Sequence, residues 1–292
     1  MGYKIFLVFE KFLMLLSSSL RKKIFFTLAY LAYKLSKRYR GVAYKNLDFL
    51  FGDKLSDDEK TQIVKYSFKN LALNFLHLVE IRAMSRDDLA KKITIQNMHI
   101  VEKAHKENRA IIYVTTHYSS WELGGASIGA FIEPIVAIYK KMKNDTYQEW
   151  VLESRSHFGN INLEKTNVIK PLIKLIKQGY GSGFLIDTNI NPKDGVMVDF
   201  MGKQIRQTSA PAYLARKFDA VIIPVSIRTD DEENYTLMLF DEINVEKTDD
   251  AKADIQKATQ LQADWLAKLI SDEPKFWFWL HRRFKNDYPE IY

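Results

Sequence analysis

The chain has 292 residues, of which 47% are hydrophobic and 27% charged, and its formal net charge is +7. This length is enough for one large α/β domain or two small ones, and the composition is that of an ordinary globular protein. The sequence contains no cysteine. Disulfides, thiolate metal sites and a cysteine nucleophile are therefore excluded, and a reducing compartment is favoured.

Most of the positive charge lies at the amino terminus. Residues 1–40 carry nine Lys or Arg against the single acid Glu10, a net charge of +8, so the rest of the chain sums to −1. A nucleic-acid enzyme is expected to spread its basic residues along a binding face. Here the excess lies beside the most apolar segment of the chain, which predicts contact with anionic membrane lipid and no nucleic-acid partner.

The apolar segment Ile5–Leu20 is predicted to form one amphipathic helix with Lys4 and Lys11 on a narrow polar stripe. This pattern is typical of a helix that lies in the membrane interface. The uncharged runs are too short for an unaided span, and Glu10 interrupts the apolar core that a signal peptide needs. A second apolar run, Ile24–Tyr33, is closed by basic residues. The alternative is that both runs are core helices of an amino-terminal bundle.

The remaining chain predicts a helical lead-in followed by an α/β fold. Residues 36–90 have helical patterns, and Ser56 with Glu59 has the spacing of a capping box. From residue 93, short β-rich runs alternate with helical stretches, which predicts a largely parallel sheet with an antiparallel edge and helices on both faces. The predicted strands are Ile93–Gln96, Ala110–Thr115, Pro134–Tyr139, Gly183–Asp187, Ala220–Arg228 and, as the antiparallel edge, Tyr235–Phe240. The expected organisation is a basic helical extension over residues 1–40 and one α/β domain over 41–292, with 41–92 as the lead-in.

The candidate site lies where an apolar strand ends at His117 and a helix is predicted to begin a few residues later. Ligands of open α/β sheets bind outside the carboxyl ends of the strands, where this histidine is expected. Glu122 falls in the first turn of the helix. Its carboxylate is expected to accept a hydrogen bond from the Nδ1–H of His117, which leaves Nε2 to remove a proton from a hydroxyl.

Two alternatives need no catalysis. Ser119 and Glu122 also have the spacing of a capping box, so the carboxylate could simply accept from an amide at the helix start. His117 could be a hydrogen-bonded residue at a strand end. A metal site is not predicted, because nothing nearby supplies a third ligand to His117 and Glu122, and no cofactor is expected.

His117-x4-Glu122 resembles the His-x4-Asp/Glu motif of glycerolipid acyltransferases, and the wider pattern is similar to the bacterial lipid A late acyltransferases, the lauroyl- and myristoyltransferase family. The likeness extends over nearly the whole chain. The other blocks that carry it are Asn46-Leu47 with Phe51, Ser67-Phe68, Glu80, Asp199-Phe-Met-Gly202-Lys203, Ser209–Ala215, Val221-Ile-Ile-Pro224-Val225 and the aromatic and basic ending Pro274–Lys285.

The resemblance implies transfer of a fatty acyl group from an acyl carrier protein thioester to a hydroxyl of a lipid A precursor. His117 would be the general base and Glu122 its supporting carboxylate. The expected location is the cytoplasmic face of a Gram-negative inner membrane, with a peripheral or single amino-terminal anchor. Another glycolipid or a lysophospholipid as acceptor, and acyl-CoA as donor, stay open. A lipase-like hydrolase would need a nucleophile, and no Gly-x-Ser-x-Gly elbow occurs.

The resemblance also implies substrate-binding residues. Lys140 stands where the family commonly has an Arg, and Arg155 matches a second family Arg, so both are expected to bind substrate phosphates. Gly202 and Pro224 lie in matching blocks and are further candidates for substrate binding. The alternative for Lys140 and Arg155 is that each is a solvated surface charge without a binding role. The chain departs from the family at Asp187-Thr188, where Asp-Gln is frequent, which affects substrate detail more than reaction type.

Overall fold

A computed structural model describes residues 2–292, and its centre is a seven-stranded sheet in the order β1-β9-β8-β2-β5-β3-β4. The nine strands are β1 (Ile93–Gln96), β2 (Ile111–Thr115), β3 (Ile135–Tyr139), β4 (Ile161–Glu164), β5 (Gly181–Leu185), β6 (Gly195–Phe200), β7 (Lys203–Thr208), β8 (Val221–Arg228) and β9 (Tyr235–Leu239). Every neighbouring pair in the large sheet is parallel except β8 with β9, and β6 with β7 forms a separate antiparallel hairpin.

The predicted fold class is confirmed, and the six predicted strands are all present within two residues of their expected ends. Two details differ. The antiparallel strand β9 is not the edge, because β1 pairs with its outer side in parallel register from Ile93 and Tyr235. The prediction also missed β4, a short half-buried strand at the sheet edge, and the β6–β7 hairpin, although the alternating burial of the hairpin is typical of strands.

Eleven α-helices occur in residues 2–292: α1 (Gly2–Leu15), α2 (Ser18–Leu35), α3 (Lys37–Phe51), α4 (Asp57–Ile81), α5 (Arg86–Ala90), α6 (His99–Lys106), α7 (Trp121–Phe131), α8 (Asp145–Ser156), α9 (Ile169–Lys177), α10 (Ala210–Phe218) and α11 (Ala251–Asp272). The predicted capping box at the start of α4 is confirmed, with Glu59 N donating to Ser56 Oγ and Ser56 N donating to the Glu59 carboxylate. Helices cover both faces of the sheet. Leu123 of α7 packs with Tyr113 on one face, and Leu214 of α10 packs with Ile112 on the other.

The predicted single helix over Ile5–Leu20 is wrong, because helix α1 ends at Leu15 and a second helix, α2, begins at Ser18. Ser17 caps α2 by accepting from Leu20 N at 3.3 Å. The inner face of α1 packs against α4 and α8. Glu10 accepts from Arg82 Nε at 2.9 Å and from Trp150 Nε1 at 3.0 Å.

The outer faces of α1 and α2 are apolar and exposed. Their exposed large apolar side chains are Ile5, Val8, Phe9, Phe12, Leu15, Leu20, Leu28, Tyr30, Leu31 and Leu35. The same two helices are tied to the rest of the fold, since Arg21 Nε donates to Glu80 of α4 at 2.9 Å. None of the helices described over residues 2–292 combines the length and apolar composition that crossing a membrane requires.

Helix α7 is held over the sheet by the buried side chain of Asn160, which precedes β4. Its Nδ2 donates to Gly125 O at 2.8 Å, and its Oδ1 accepts from Ile135 N of β3 at 3.1 Å. Gly129 leaves room for this amide, because a Cβ at that position would lie 2.4 Å from Asn160 Oδ1. The contact fixes the distance between α7 and the strands beneath it.

We therefore expect Gly129→Ala to lower the melting temperature, because either the hydrogen-bonded amide or α7 must shift. Overpacking of this kind costs about 1–3 kcal/mol. The matched control is Gly125→Ala in the same helix, where a Cβ meets nothing within 4 Å. The control should be neutral or stabilising, since alanine favours a helix over glycine by roughly 0.5–1 kcal/mol. Equal melting temperatures in a thermal unfolding experiment would contradict the assigned role of Asn160.

Candidate active site

His117 lies at the carboxyl end of β2, directly beside Asp187, which follows the neighbouring strand β5. The Nδ1 atom of His117 is 2.9 Å from Asp187 Oδ1, and the backbone N–H of His117 donates to Asp187 Oδ2 at 2.9 Å. The same Oδ2 accepts from Thr116 Oγ1 at 2.7 Å and from Trp277 Nε1 at 2.9 Å. The carboxylate is buried, whereas the His117 side chain is 26% exposed. Asp187 therefore fixes the ring of His117 and leaves only Nε2 to face a substrate.

The charges of this pair favour an imidazolium. Burial alone would raise the pKa of Asp187, but the charge of His117 and the hydrogen bonds from His117 and Thr116 lower it well below its usual range. Burial likewise opposes charge on His117, yet the charge and hydrogen bond of Asp187, together with the charge of Glu122, raise the pKa of His117 above 6.5. An ionised Asp187 accepts a hydrogen bond from Nδ1–H, so neutral His117 carries its lone pair on Nε2.

The expected contact between Glu122 and Nδ1 of His117 is wrong. Arg155 of α8 holds the Glu122 carboxylate in a two-point ion pair, with Nε to Oε2 at 3.0 Å and Nη2 to Oε1 at 2.6 Å. Trp121 Nε1 also donates to Glu122 Oε1, at 3.2 Å. The place beside Nδ1 is taken by Asp187, because the ends of adjacent parallel strands meet at the same edge of the sheet. Glu122 acts on His117 through its charge, which raises the pKa of the ring.

The capping-box alternative for Ser119 and Glu122 is also wrong. Ser119 has a left-handed backbone with φ +49°, and its Oγ has no hydrogen-bond partner in the part of the chain that the structure describes. Ser120 is the N-cap of α7 and makes no side-chain capping bond. The amide of Glu122 donates instead to Asn74 Oδ1 of α4, at 3.2 Å. The Glu122 side chain is therefore free to pair with Arg155.

A mainly apolar cavity of about 130 Å³ opens beside Glu122 and Arg155 and extends between α7 and the sheet. Its other lining residues include Tyr113, Trp121, Gly124, Gly125, Ile128, Ala137, Ile138, Gly183, Leu185, Val225, Ile227 and Leu237. Gly183 lies where the cavity wall is tightly packed, since a Cβ there would lie 3.1 Å from Ile135 Cδ1. The cavity lining is mainly apolar and carries the charged side chains of Glu122 and Arg155.

Aromatic side chains close the site around His117. Its ring lies 5.2 Å from Trp121 and 6.0 Å from Phe278, measured between centroids. The carboxyl-terminal segment is fixed in turn by Phe278 N, which donates to His117 O at 2.9 Å. Trp277, Trp279 and Phe284 of this segment are all buried and belong to the core.

The structure brings together three of the predicted site residues, His117, Glu122 and Arg155. Lys140 is exposed one residue after β3, at the same edge of the sheet. Gly202 lies in the tight turn between β6 and β7 with φ +75°, and Pro224 is buried within β8. Neither Gly202 nor Pro224 lines the cavity in the region that the structure describes, so their role in substrate binding stays a prediction.

The prediction missed Asp187 as the partner of His117, and it missed Trp277 and Asn74. A signal for Asp187 was present, since an acid closes a predicted buried strand. Its pairing was hidden because 70 residues separate it from His117. Asn74 carried a weaker signal, as a buried polar residue of α4 that lies two helical turns after Ser67 and one turn after Asn70.

Comparison with known proteins gives a family. Residues 2–286 match the bacterial lipid A biosynthesis acyltransferase family. The chain is similar to the lipid A biosynthesis palmitoleoyltransferase of Escherichia coli K12, with 24% identity over 256 residues, which cover 86% of this chain and 80% of that protein. Its identity to the lipid A biosynthesis lauroyltransferase of the same organism is 25% over 265 residues, covering 88% and 82%. A lipid A biosynthesis acyltransferase of Haemophilus influenzae is 22% identical over 260 residues, covering 88% and 80%.

The site geometry predicts the order of two pKa changes at His117. In the unmodified protein the pKa of His117 should lie above 6.5. Asp187→Asn keeps the size of the side chain and removes the charge, so it should lower the pKa of His117, whereas Glu122→Gln should lower it by less. NMR titration of the imidazole resonances measures the pKa of His117 in the wild-type protein and in both variants. A larger effect of Glu122→Gln would restore Glu122 as the main partner of the imidazole.

Proposed function

The chain belongs to the bacterial lipid A biosynthesis acyltransferase family, and we propose that it transfers a fatty acyl chain from an acyl carrier protein thioester to a hydroxyl of a lipid A precursor, with His117 as general base. Membership makes the chain an O-acyltransferase of lipid A biosynthesis. The observation that carries the residue-level proposal is the His117–Asp187 pair, whose imidazole lies 5.2 Å from the ring of Trp121, a residue that lines the apolar cavity. The pair supplies a base, and the cavity supplies a place for an acyl chain.

The proposed reaction uses Nε2 of His117. This atom takes the proton of the acceptor hydroxyl while the oxygen attacks the thioester carbonyl to give a tetrahedral intermediate. The intermediate collapses with cleavage of the carbon–sulfur bond, and the imidazolium returns the proton to the leaving thiolate. Asp187 stabilises the imidazolium between these steps. The sulfur belongs to the donor, which agrees with a chain that contains no cysteine.

The proposed acyl site is the cavity between α7 and the sheet. A thioester at its mouth would place the reacting carbonyl beside Trp121 and the Glu122–Arg155 pair, and the hydrocarbon would run past Gly183 toward Ile128. Apolar burial of each methylene favours binding by about 0.8 kcal/mol. Side chains at the far end of the cavity would therefore select chain length.

Arg155 and Lys140 are proposed to contact a phosphate of the acceptor. The Arg155 side chain is 37% exposed, and only its Nε and Nη2 atoms are engaged by Glu122 within the described residues. Nη1 is therefore open to an anion. Glu122 would hold the guanidinium in a fixed orientation, and Lys140 at the end of β3 would add a point charge from the same edge.

The test is mass spectrometry of lipids after incubation of the full-length protein with acyl carrier protein thioesters and a lipid A precursor. An acylated precursor supports the proposal. Acylated phospholipid, free fatty acid or the absence of product would each contradict it. A parallel incubation with acyl-CoA identifies the donor.

In that assay His117→Ala should lower the rate of transfer by on the order of 10²–10⁴-fold, because the general base is lost. The matched control is His99→Ala, since His99 is exposed at the start of α6. Both variants should melt at the wild-type temperature. A rate within a few-fold of wild type for His117→Ala, in folded protein, would remove His117 from the mechanism.

Membrane attachment is proposed to use the outer faces of α1 and α2, on the cytoplasmic face of the inner membrane. Residues 1–40 hold the net charge of +8, and the exposed apolar side chains of both helices lie on the side away from α4. Lysine and arginine supply an attraction that salt screens, and the apolar side chains supply one that salt does not. The combination suits a peripheral protein that rests on anionic lipid.

Replacement of Val8, Phe9 and Phe12 by serine should therefore weaken binding to anionic vesicles by on the order of a hundredfold or more, because buried apolar side chains each contribute roughly 1.5–3 kcal/mol. These residues are exposed, so the melting temperature should not fall. Leu261→Ser is the control, since Leu261 is exposed on the remote helix α11. Sedimentation with vesicles measures binding. Unchanged sedimentation of the triple variant would show that this face does not contact lipid.

A further inference from the structure

The peptide that joins His117 to Glu122 has a conformation that its own sequence does not favour. Ser119 has φ +49° and is completely buried. A left-handed backbone is unfavourable for serine, and it persists only where the surrounding structure holds it. The distance and orientation between the imidazole of His117 and the carboxylate of Glu122 depend on this one turn.

Two parts of the chain hold the turn from opposite sides. On one side, the carboxyl-terminal segment makes backbone bonds, with Ser119 N donating to Phe276 O at 2.9 Å and Phe278 N donating to His117 O at 2.9 Å. On the other side, one side chain of α4 makes two hydrogen bonds to backbone groups of the turn. Asn74 Nδ2 donates to Ser119 O at 2.8 Å, and its Oδ1 accepts from Glu122 N at 3.2 Å.

The chemistry of Asn74 matches the two groups that it joins. Its amide is 2% exposed, and a second bond from Nδ2 goes to Asn70 O at 3.0 Å. Only an amide offers a donor to a carbonyl and an acceptor to an N–H at this spacing without a charge. Because the N-cap Ser120 makes no side-chain bond, Asn74 also supplies the capping acceptor for α7 from another helix.

We propose that Asn74 is a positioning residue, which sets the geometry between the His117 base and the Glu122–Arg155 pair through the Ser119 turn. The inference rests on the proposed role of His117. Asn74 touches neither the imidazole nor the carboxylate of Glu122, and it acts through the backbone that carries both. Loss of the amide therefore changes where the base points and leaves the cavity and the phosphate-binding cations in place.

The first test compares kinetics. Asn74→Ala should lower kcat on the order of 10- to 100-fold, as expected for a catalytic group displaced by about 1 Å. KM for the acyl donor and for the lipid acceptor should change by less than about threefold, since catalytic misplacement alone leaves binding intact. Leu89→Ala, in the remote helix α5, controls for general loss of stability.

The second test needs no activity. An ionised aspartate at position 74 could still accept from Glu122 N but could not donate to Ser119 O, and it would add a negative charge beside the site. Asn74→Asp should therefore raise the pKa of His117 above the wild-type value, and Asn74→Ala should shift the Nδ1 proton resonance of His117. Leu89→Ala should leave both unchanged.

A further variant covers the case in which Asn74→Ala unfolds. Glycine adopts a positive φ without steric cost, so Ser119→Gly combined with Asn74→Ala should recover the melting temperature but not kcat. Recovery of both would overturn the proposal, as would a kcat within threefold of wild type and an unmoved His117 resonance in Asn74→Ala. Wild-type protein that transfers no acyl chain, with variants that still move the His117 resonance, would overturn the proposed function and leave the positioning role intact.

Discussion

The hydrogen-bonded pair of His117 and Asp187 joins the ends of two adjacent strands, and the rest of the site is arranged around it. Asp187 accepts four hydrogen bonds, from the backbone and ring of His117, from Thr116 and from Trp277. A buried carboxylate with one bond would be costly, whereas one with four charge-assisted or neutral donors stays ionised. The carboxyl-terminal segment takes part in this pair, because Trp277 supplies the last of the four donors. The same segment then fixes the turn after His117 through the backbone of Phe276 and Phe278.

The helices outside the sheet connect the exposed apolar surface of α1 and α2 to this centre. Helix α4 packs against α2 on one side and against the site on the other. Its polar residues Ser67, Asn70 and Asn74 donate to the backbone oxygens of residues 277, 276 and 119, respectively. Arg21 of α2 and Arg82 after α4 form partly buried ion pairs with Glu80 and Glu10. Removing one partner of such a pair leaves an uncompensated charge. The amino-terminal helices are therefore packed parts of the fold, although the sequence presents them as a basic extension.

The sequence was informative where a pattern is local. Short apolar runs between stretches of helical periodicity predicted six strands of the sheet. The capping box of Ser56 and Glu59 marked the start of α4. Prediction failed where the decisive partner is distant. Asp187 is 70 residues from His117, so only the strand order reveals the pair. Glu122 is five residues from His117, yet Arg155, brought in by α8, competes for its carboxylate. The break after Leu15 depends on Ser17, whose capping role cannot be separated by sequence alone from a serine on a polar stripe.

The charges around His117 suggest why the site keeps two carboxylates with one guanidinium. Asp187 and Glu122 raise the pKa of His117 while Arg155 lowers it, so these three groups sum to one negative charge and neutral imidazole leaves it uncompensated. Proton transfer from an acceptor hydroxyl to Nε2 brings that sum to zero, which favours the imidazolium in a partly buried site. Under the proposed function, a phosphate that binds to Arg155 adds negative charge beside Glu122 and favours the imidazolium further. The acceptor would then strengthen the base that activates it. Dephosphorylated acceptors would lose more than a binding contact, because the field that supports the proton on His117 would be weaker.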